Sequence, residues 1–244
     1  LVGNLKPINE ELDTFLYCSS HDLRRPITTV LGLAEVAQLT LHEQEGFMLF
    51  DKVKDTAVSM NKMLRKLYMI NDLHAGIEET ESVNFPVLKQ KIVDEFSEII
   101  ETDNIDFKFE FDENIQFGAP DRLIKNIIFN LVENAILFRK TNNASVQVNI
   151  EFKSKKGLFI IVEDNGVGIL PDYQDKIFDM YMVANESSKG NGLGLYVVKR
   201  TLDVLNGTIL VNSQINKGST FEVFIPIMEQ EFVKNKNLTS PKLH

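Results

Sequence analysis

Apolar and small residues recur in steps of three and four at Leu5, Ile8, Leu12, Phe15, Ser19, Leu23, Ile27, Val30, Ala34 and Ala37. That spacing predicts one amphipathic helix from Leu5 to about Leu39. The polar stretch "TLHEQEG" (40–46) interrupts the seam, and a second follows through Phe47, Phe50, Val53, Ala57, Met60, Leu64, Leu67 and Ile70. Two long helices joined by a short loop predict an antiparallel hairpin. Each helix of such a hairpin has only one neighbour, so its apolar stripe stays poorly covered until two chains combine; the expectation is a homodimer with a four-helix bundle.

The stretch "NDLHAGIEETESVNF" (71–85) reads as a linker, and beyond it the period changes. Strands are predicted at 105–111, 145–152, 158–164, 208–213 and 219–226, with alternation clearest in "SVQVNIEF"; helical patterns fill 86–101, 120–139 and 193–205. The expected fold class is therefore α+β: a helical hairpin over 1–78, an α/β sandwich with its helices on one side of the sheet over 79–230, and a polar tail over 231–244.

Composition narrows the function. The 244 residues are 43% hydrophobic with a formal net charge of −9, enough apolar content for globular cores and too acidic, with no basic stripe, for nucleic acid to be the main partner. The lone Cys18 allows no intrachain disulfide and suits a reducing, cytoplasmic setting. No apolar run approaches the roughly 20 residues that cross a bilayer, so no membrane segment is expected in this chain. A chain opening on Leu1 rather than Met is expected to be a portion of something longer, with any sensor or anchor outside it.

Four segments carry candidate chemistry. In "SSHDLRRPITTVLG" (19–32) His21 points off the helix seam, and Pro26 lacks an amide hydrogen and clashes with the carbonyl of Asp22, loosening the helix beside the imidazole. Asp22 can hold the proton on one ring nitrogen and leave the other as a nucleophile. His42, His74 and His244 have no such neighbours. On the predicted helix from Pro120, Asn130 and Asn134 stand at i and i+4 among apolar residues, so both amide oxygens share one face and suit a hydrated Mg²⁺. Asp164 ends a strand and is followed by Gly166 and Gly168; a strand-end carboxylate can accept a hydrogen bond from an exocyclic amine such as that of adenine, while glycines let backbone approach a flat ring. Gly190, Gly192 and Gly194 open the last helix, where free amides and the positive helix end can cradle phosphate. There is no Walker A lysine motif, and neither the catalytic loop nor the DFG triplet of serine/threonine kinases occurs.

In this order the segments resemble the bacterial sensor histidine kinases of two-component systems over nearly the whole chain. "HDLRRPI" resembles the H box of that family, "NLVENA" its N box, "DNGVGI" its G1 box, "KIFDMY" (176–181) its F box, "GNGLGL" its G2 box and "GSTFEVFIP" its last glycine box. The resemblance implies a dimerisation and phosphotransfer hairpin followed by a catalytic ATP-binding domain of the gyrase, Hsp90, histidine kinase and MutL type. It implies that His21 takes the γ-phosphoryl of MgATP with Asp22 as base, that Asn130 and Asn134 hold Mg²⁺, and that Asp164 binds the adenine amine. Gly166, Gly168, Gly190, Gly192, Leu193 and Gly194 would then shape the nucleotide pocket and its lid (170–190). The implied partners are a response regulator, whose aspartate receives the phosphoryl group, and an upstream sensor domain outside this chain.

Three positions depart from the family pattern. Arg25 stands four residues after the histidine, where many members carry Thr, Asn or Gln, which argues against phosphatase activity. Leu137 replaces a common lysine after the second Asn; Arg139 and Lys140 are the candidates to supply that phosphate contact, though they leave the helix in other directions. Val183 replaces an arginine beyond the F box, with Lys189 in the lid as the alternative charge. A catalytically weakened, nucleotide-sensing dimeric scaffold is the competing expectation. An ATPase clamp of the same superfamily fits less well, because Asn130 occupies the place of a water-activating acid and Glu133 lies roughly 60° away around the helix.

Overall fold

The computed structural model describes residues 27–38, 44–72, 82–113, 115–180, 182 and 192–227. Residues 27–38 are helical (α1), and α2 runs over Gln44–Asp72. The two are tied by a hydrogen bond from Gln38 to Asp51 and by a Lys54–Glu35 pair at 4.0 Å. Ile27 is buried in a cluster with Ala57, Leu64 and Ile70, as the two seams require. Along the same helices Val30, Val53 and Met60 are left exposed and line an apolar groove with Ile27 and Ala57.

From residue 82 onward the elements follow in the order α3 (Phe85–Thr102), β1 (Asp106–Phe111), α4 (Asp121–Leu137), β2 (Ser145–Lys153), β3 (Gly157–Asp164), α5 (Pro171–Gln174), α6 (Gly194–Val204), β4 (Thr208–Gln214) and β5 (Gly218–Pro226). Each predicted strand is present with ends shifted by a residue or so. The five strands form one sheet in the order β1-β2-β3-β5-β4. The β1/β2 pair is parallel and the others antiparallel. A parallel neighbour needs a crossover, and α4 supplies it between β1 and β2. Tight turns join β2 to β3 and β4 to β5, and both are ordinary antiparallel hairpins.

Period-two alternation sends Val146, Val148, Ile150, Leu158, Ile160, Val162, Phe221, Val223 and Ile225 to one face, where all are buried. Leu88 and Ile92 of α3, Ile124, Ile127, Leu131 and Ala135 of α4, and Val198 and Leu202 of α6 complete that core. Each fully buried Leu, Ile or Val contributes on the order of 1.5–3 kcal/mol. The opposite face of the sheet carries Gln147, Glu163 and Glu222, so the described helices cover one side only, as the sequence predicts.

Helix α6 is buried on two sides. Val198, Leu202 and the following Leu205 belong to the sandwich core, whereas Leu193 and Val197 belong to the cluster of Ile27, Ala57, Leu64 and Ile70. The helical hairpin and the sandwich therefore meet along the first turn of α6.

Candidate functional site

Asn130 lies at the centre of α4 and is 1% exposed. Its Nδ2 donates to the carbonyl oxygen of Asn126 at 2.8 Å, one turn back. A carbonyl can only accept, so this bond fixes the nitrogen on the helix and turns Oδ1 outward. That Oδ1 has no hydrogen-bond partner. It lies 3.3 Å from where a Cβ on Gly194 would stand, at the first residue of α6. A buried amide oxygen without a donor costs about 1–3 kcal/mol, and an oxygen-loving cation is the kind of group that would satisfy it. Asn134 follows one turn on, half-buried. The residues therefore fit a hard cation at this place.

Helix α4 ends where the second part of the site begins. The carbonyl of Phe138 accepts from Val167 N at 3.0 Å, which docks the turn after β3 onto the helix end. Asp164 closes β3, 9% exposed, and its Oδ1 accepts from Gly166 N at 2.7 Å. Burial pushes its carboxyl from the ordinary 3.8 up to about 6; the amides of Gly166 and Ser219 pull it back, Glu163 adds to the rise, and Lys140 opposes it. At neutral pH it is a desolvated carboxylate with acceptor capacity left over. A Cβ on Gly166 would stand 2.4 Å from the Phe138 carbonyl oxygen, so this close approach needs glycine.

The turn is held from three further directions. Asn165 accepts from Ser145 N at 2.9 Å and donates to the Asn143 carbonyl at 2.7 Å. Ser213 Oγ accepts from Ile169 N at 2.8 Å and stands 3.0 Å from Ser219 Oγ. Gln174 on α5 donates to the carbonyls of Ser213 and Ile169, which gives that one-turn helix its role. Asp164 is thus a rigid acceptor at the open end of β3, the position where strand ends and helix starts create ligand crevices.

Of the residues the sequence singles out, the fold brings Asn130 to Gly194 and Asp164 to Gly166, with Leu193 fully buried beneath the start of α6. Gly168 and Gly192 adopt φ of 71° and 66°, a region glycine reaches without strain. His21, Asp22, Arg25, Lys189 and Gly190 lie outside the described residues. Arg139, a candidate for the missing phosphate contact, pairs its guanidinium with Asp103 and donates to the Ile136 carbonyl at 2.6 Å, which braces α4 against the end of α3. The sequence alone did not anticipate one contact beside the site: Lys66 Nζ on α2 lies 2.5 Å from Glu133 Oε2.

Residues 118–229 match the family described as histidine kinase-, DNA gyrase B- and HSP90-like ATPase. The chain is 29% identical over 248 residues to the autoinducer 2 sensor kinase/phosphatase LuxQ of Vibrio vulnificus, covering 93% of this chain and 28% of that protein. It is 30% identical over 224 residues to the signal transduction histidine-protein kinase BarA of Escherichia coli, covering 85% of this chain and 24% of the relative. The chain thus spans about a quarter of the length of these relatives. Among solved structures, the catalytic domain of histidine kinase ThkA superposes with a TM-score of 0.54 at 30% identity, covering 62% of this chain and 99% of that one. Full-length ShkA in complex with AMPPNP shares the fold with a TM-score of 0.70 at 21% identity, covering 88% of this chain and 46% of that one.

Proposed function

The chain belongs to the sensor histidine kinases, and from that premise we propose that it transfers the γ-phosphoryl group of MgATP to its own His21. The observation that carries this reading is the buried, unpartnered Asn130 Oδ1 facing the start of α6. That is a cation seat beside a helix N-terminus, the combination a metal-bound triphosphate requires. Asn130 and Asn134 would hold Mg²⁺, which when bound neutralises the charge that develops on the phosphates. The first amides of α6, with Gly190 and Gly192, would cradle those phosphates. The buried Asp164 carboxylate would accept the adenine amine, and Gly166 and Gly168 would admit the ring.

The remaining chemistry belongs to the hairpin. Phosphoryl transfer asks the protein mainly to align donor and acceptor. One imidazole nitrogen of His21 forms the N–P bond as the bond to ADP breaks, and Asp22 takes the proton from the other. A response regulator aspartate then receives the phosphoryl group, and a second copy of the chain covers the apolar groove of Val30, Val53 and Met60 as a four-helix bundle. No described helix is long and apolar enough to cross a membrane.

Incubation with γ-labelled ATP is expected to leave an acid-labile, alkali-stable label that disappears in His21→Ala. Nucleotide binding with no label on His21 would instead support the nucleotide-sensing scaffold, and steady hydrolysis without phosphohistidine would support an ATPase.

A further inference from the structure

Where the hairpin and the sandwich meet, Leu64 and Ile70 share an apolar cluster with Leu193 and Val197, and an ion pair joins α2 to α4 beside it. Its partners are Lys66 of α2 and Glu133 of α4, 2.5 Å apart with side chains only 12% and 22% exposed. Glu133 sits between Asn130 and Asn134 in sequence, inside the segment that offers the cation seat. Lys66 Nζ also lies 3.3 Å from the Cβ position of Gly194, the same separation as Asn130 Oδ1 from that point. The ammonium and the unpartnered amide oxygen are therefore no more than twice that distance apart.

An ammonium faces the wrong end of α6. The first turn of α6 presents its amides and the positive end of the helix dipole, which favour an anion. Lys66 is also largely withdrawn from water, which a cation tolerates only with a close counterion. Glu133 supplies that counterion, and the apolar contacts of Leu193 and Val197 with Leu64 and Ile70 bring the lysine within its reach.

We propose that Lys66 is a removable plug in the phosphate seat: held by Glu133, it keeps α2 docked across the start of α6 and must withdraw before a nucleoside triphosphate with its cation can enter. Docking of the hairpin and loading of the nucleotide then compete. This rests on the reading of the site as a nucleotide pocket, and it adds what controls access. Adenosine discriminates, because it needs the Asp164 end of the pocket and no phosphate seat.

The test is calorimetric binding to the full chain of adenylyl-imidodiphosphate with Mg²⁺, and separately of adenosine, in the wild type and in Lys66→Met, which keeps most of the stem's packing. Lys66→Met is expected to bind the triphosphate analogue about 5- to 10-fold more tightly, as befits loss of a competing, partly buried ion pair, and adenosine with unchanged affinity. Lys66→Gln, with circular dichroism to verify folding, is expected to behave the same way. Unchanged triphosphate affinity would overturn the plug. Weaker affinity would make Lys66 a phosphate ligand instead, and an equal gain for adenosine would place its effect elsewhere. If neither wild type nor variant binds either ligand, the nucleotide-pocket reading itself fails and takes the plug with it.

Discussion

Asp164→Asn separates what the site costs from what it does. In the folded chain burial raises the Asp164 carboxyl from 3.8 to about 6, so between those values the native state binds a proton that the unfolded chain has released. Stability from this group is fully present below pH 3.8 and is lost as pH rises through 6. The loss at pH 7 amounts to about 3 kcal/mol, a sizeable part of the stability of an ordinary domain. Asparagine does not titrate, and its oxygen can still accept from Gly166 N. The stability difference between variant and wild type should therefore move in the variant's favour as pH rises, by up to about 3 kcal/mol over the whole range and roughly half of that between pH 5 and 7. Urea denaturation followed by circular dichroism at the two pH values measures it. The same substitution should abolish measurable adenosine binding, because the amide offers a donor where the adenine amine needs an acceptor. A pH-independent stability difference, or one that moves against the variant as pH rises, would refute the argument that the carboxylate is held desolvated.

Three further outcomes are expected. Gly218→Ala places a Cβ 1.9 Å from the Asp164 carbonyl oxygen at a φ of 118°, and should destabilise the sandwich by roughly 2–4 kcal/mol in thermal or urea unfolding. Asn130→Ala removes the orphaned oxygen and should weaken Mg²⁺-dependent binding of a triphosphate analogue by more than about tenfold, while leaving stability within about 1–2 kcal/mol of the wild type, because relief of the unpartnered oxygen offsets loss of the bond to Asn126; a calorimetric titration beside an unfolding curve separates the two. Val53→Lys puts a charge into the exposed apolar groove of the hairpin and should shift the sedimentation coefficient from dimer to monomer with unchanged helicity; a persistent dimer would show that the groove is not the subunit contact.

Elements whose residues answer to near neighbours were legible in the sequence. The second seam, from Phe47 to Ile70, lies within α2, and the alternation of "SVQVNIEF" is the buried and half-buried alternation of β2. Asp164 was legible as a strand-end carboxylate beside glycines, although its displacement toward about 6 depends on how completely the fold takes it from water. Contacts between distant charges were not legible. Lys66 and Glu133 are 67 residues apart, and each taken locally reads as a solvated charge on a helix. Arg139 reads as a cation near the N box, yet it turns to Asp103, 36 residues back, because α3 ends beside it. The short α5 carries too few residues for a periodic signal and is defined by Pro171 and by the bonds of Gln174.

Mass spectrometry of the full chain after incubation with MgATP, fragmented at neutral to alkaline pH, tests the central claim most directly. The account predicts one added phosphoryl group located on His21 in the wild type and none in Asn130→Ala. ADP formation with His21 unmodified, or modification of His21 that is indifferent to Asn130, would contradict it.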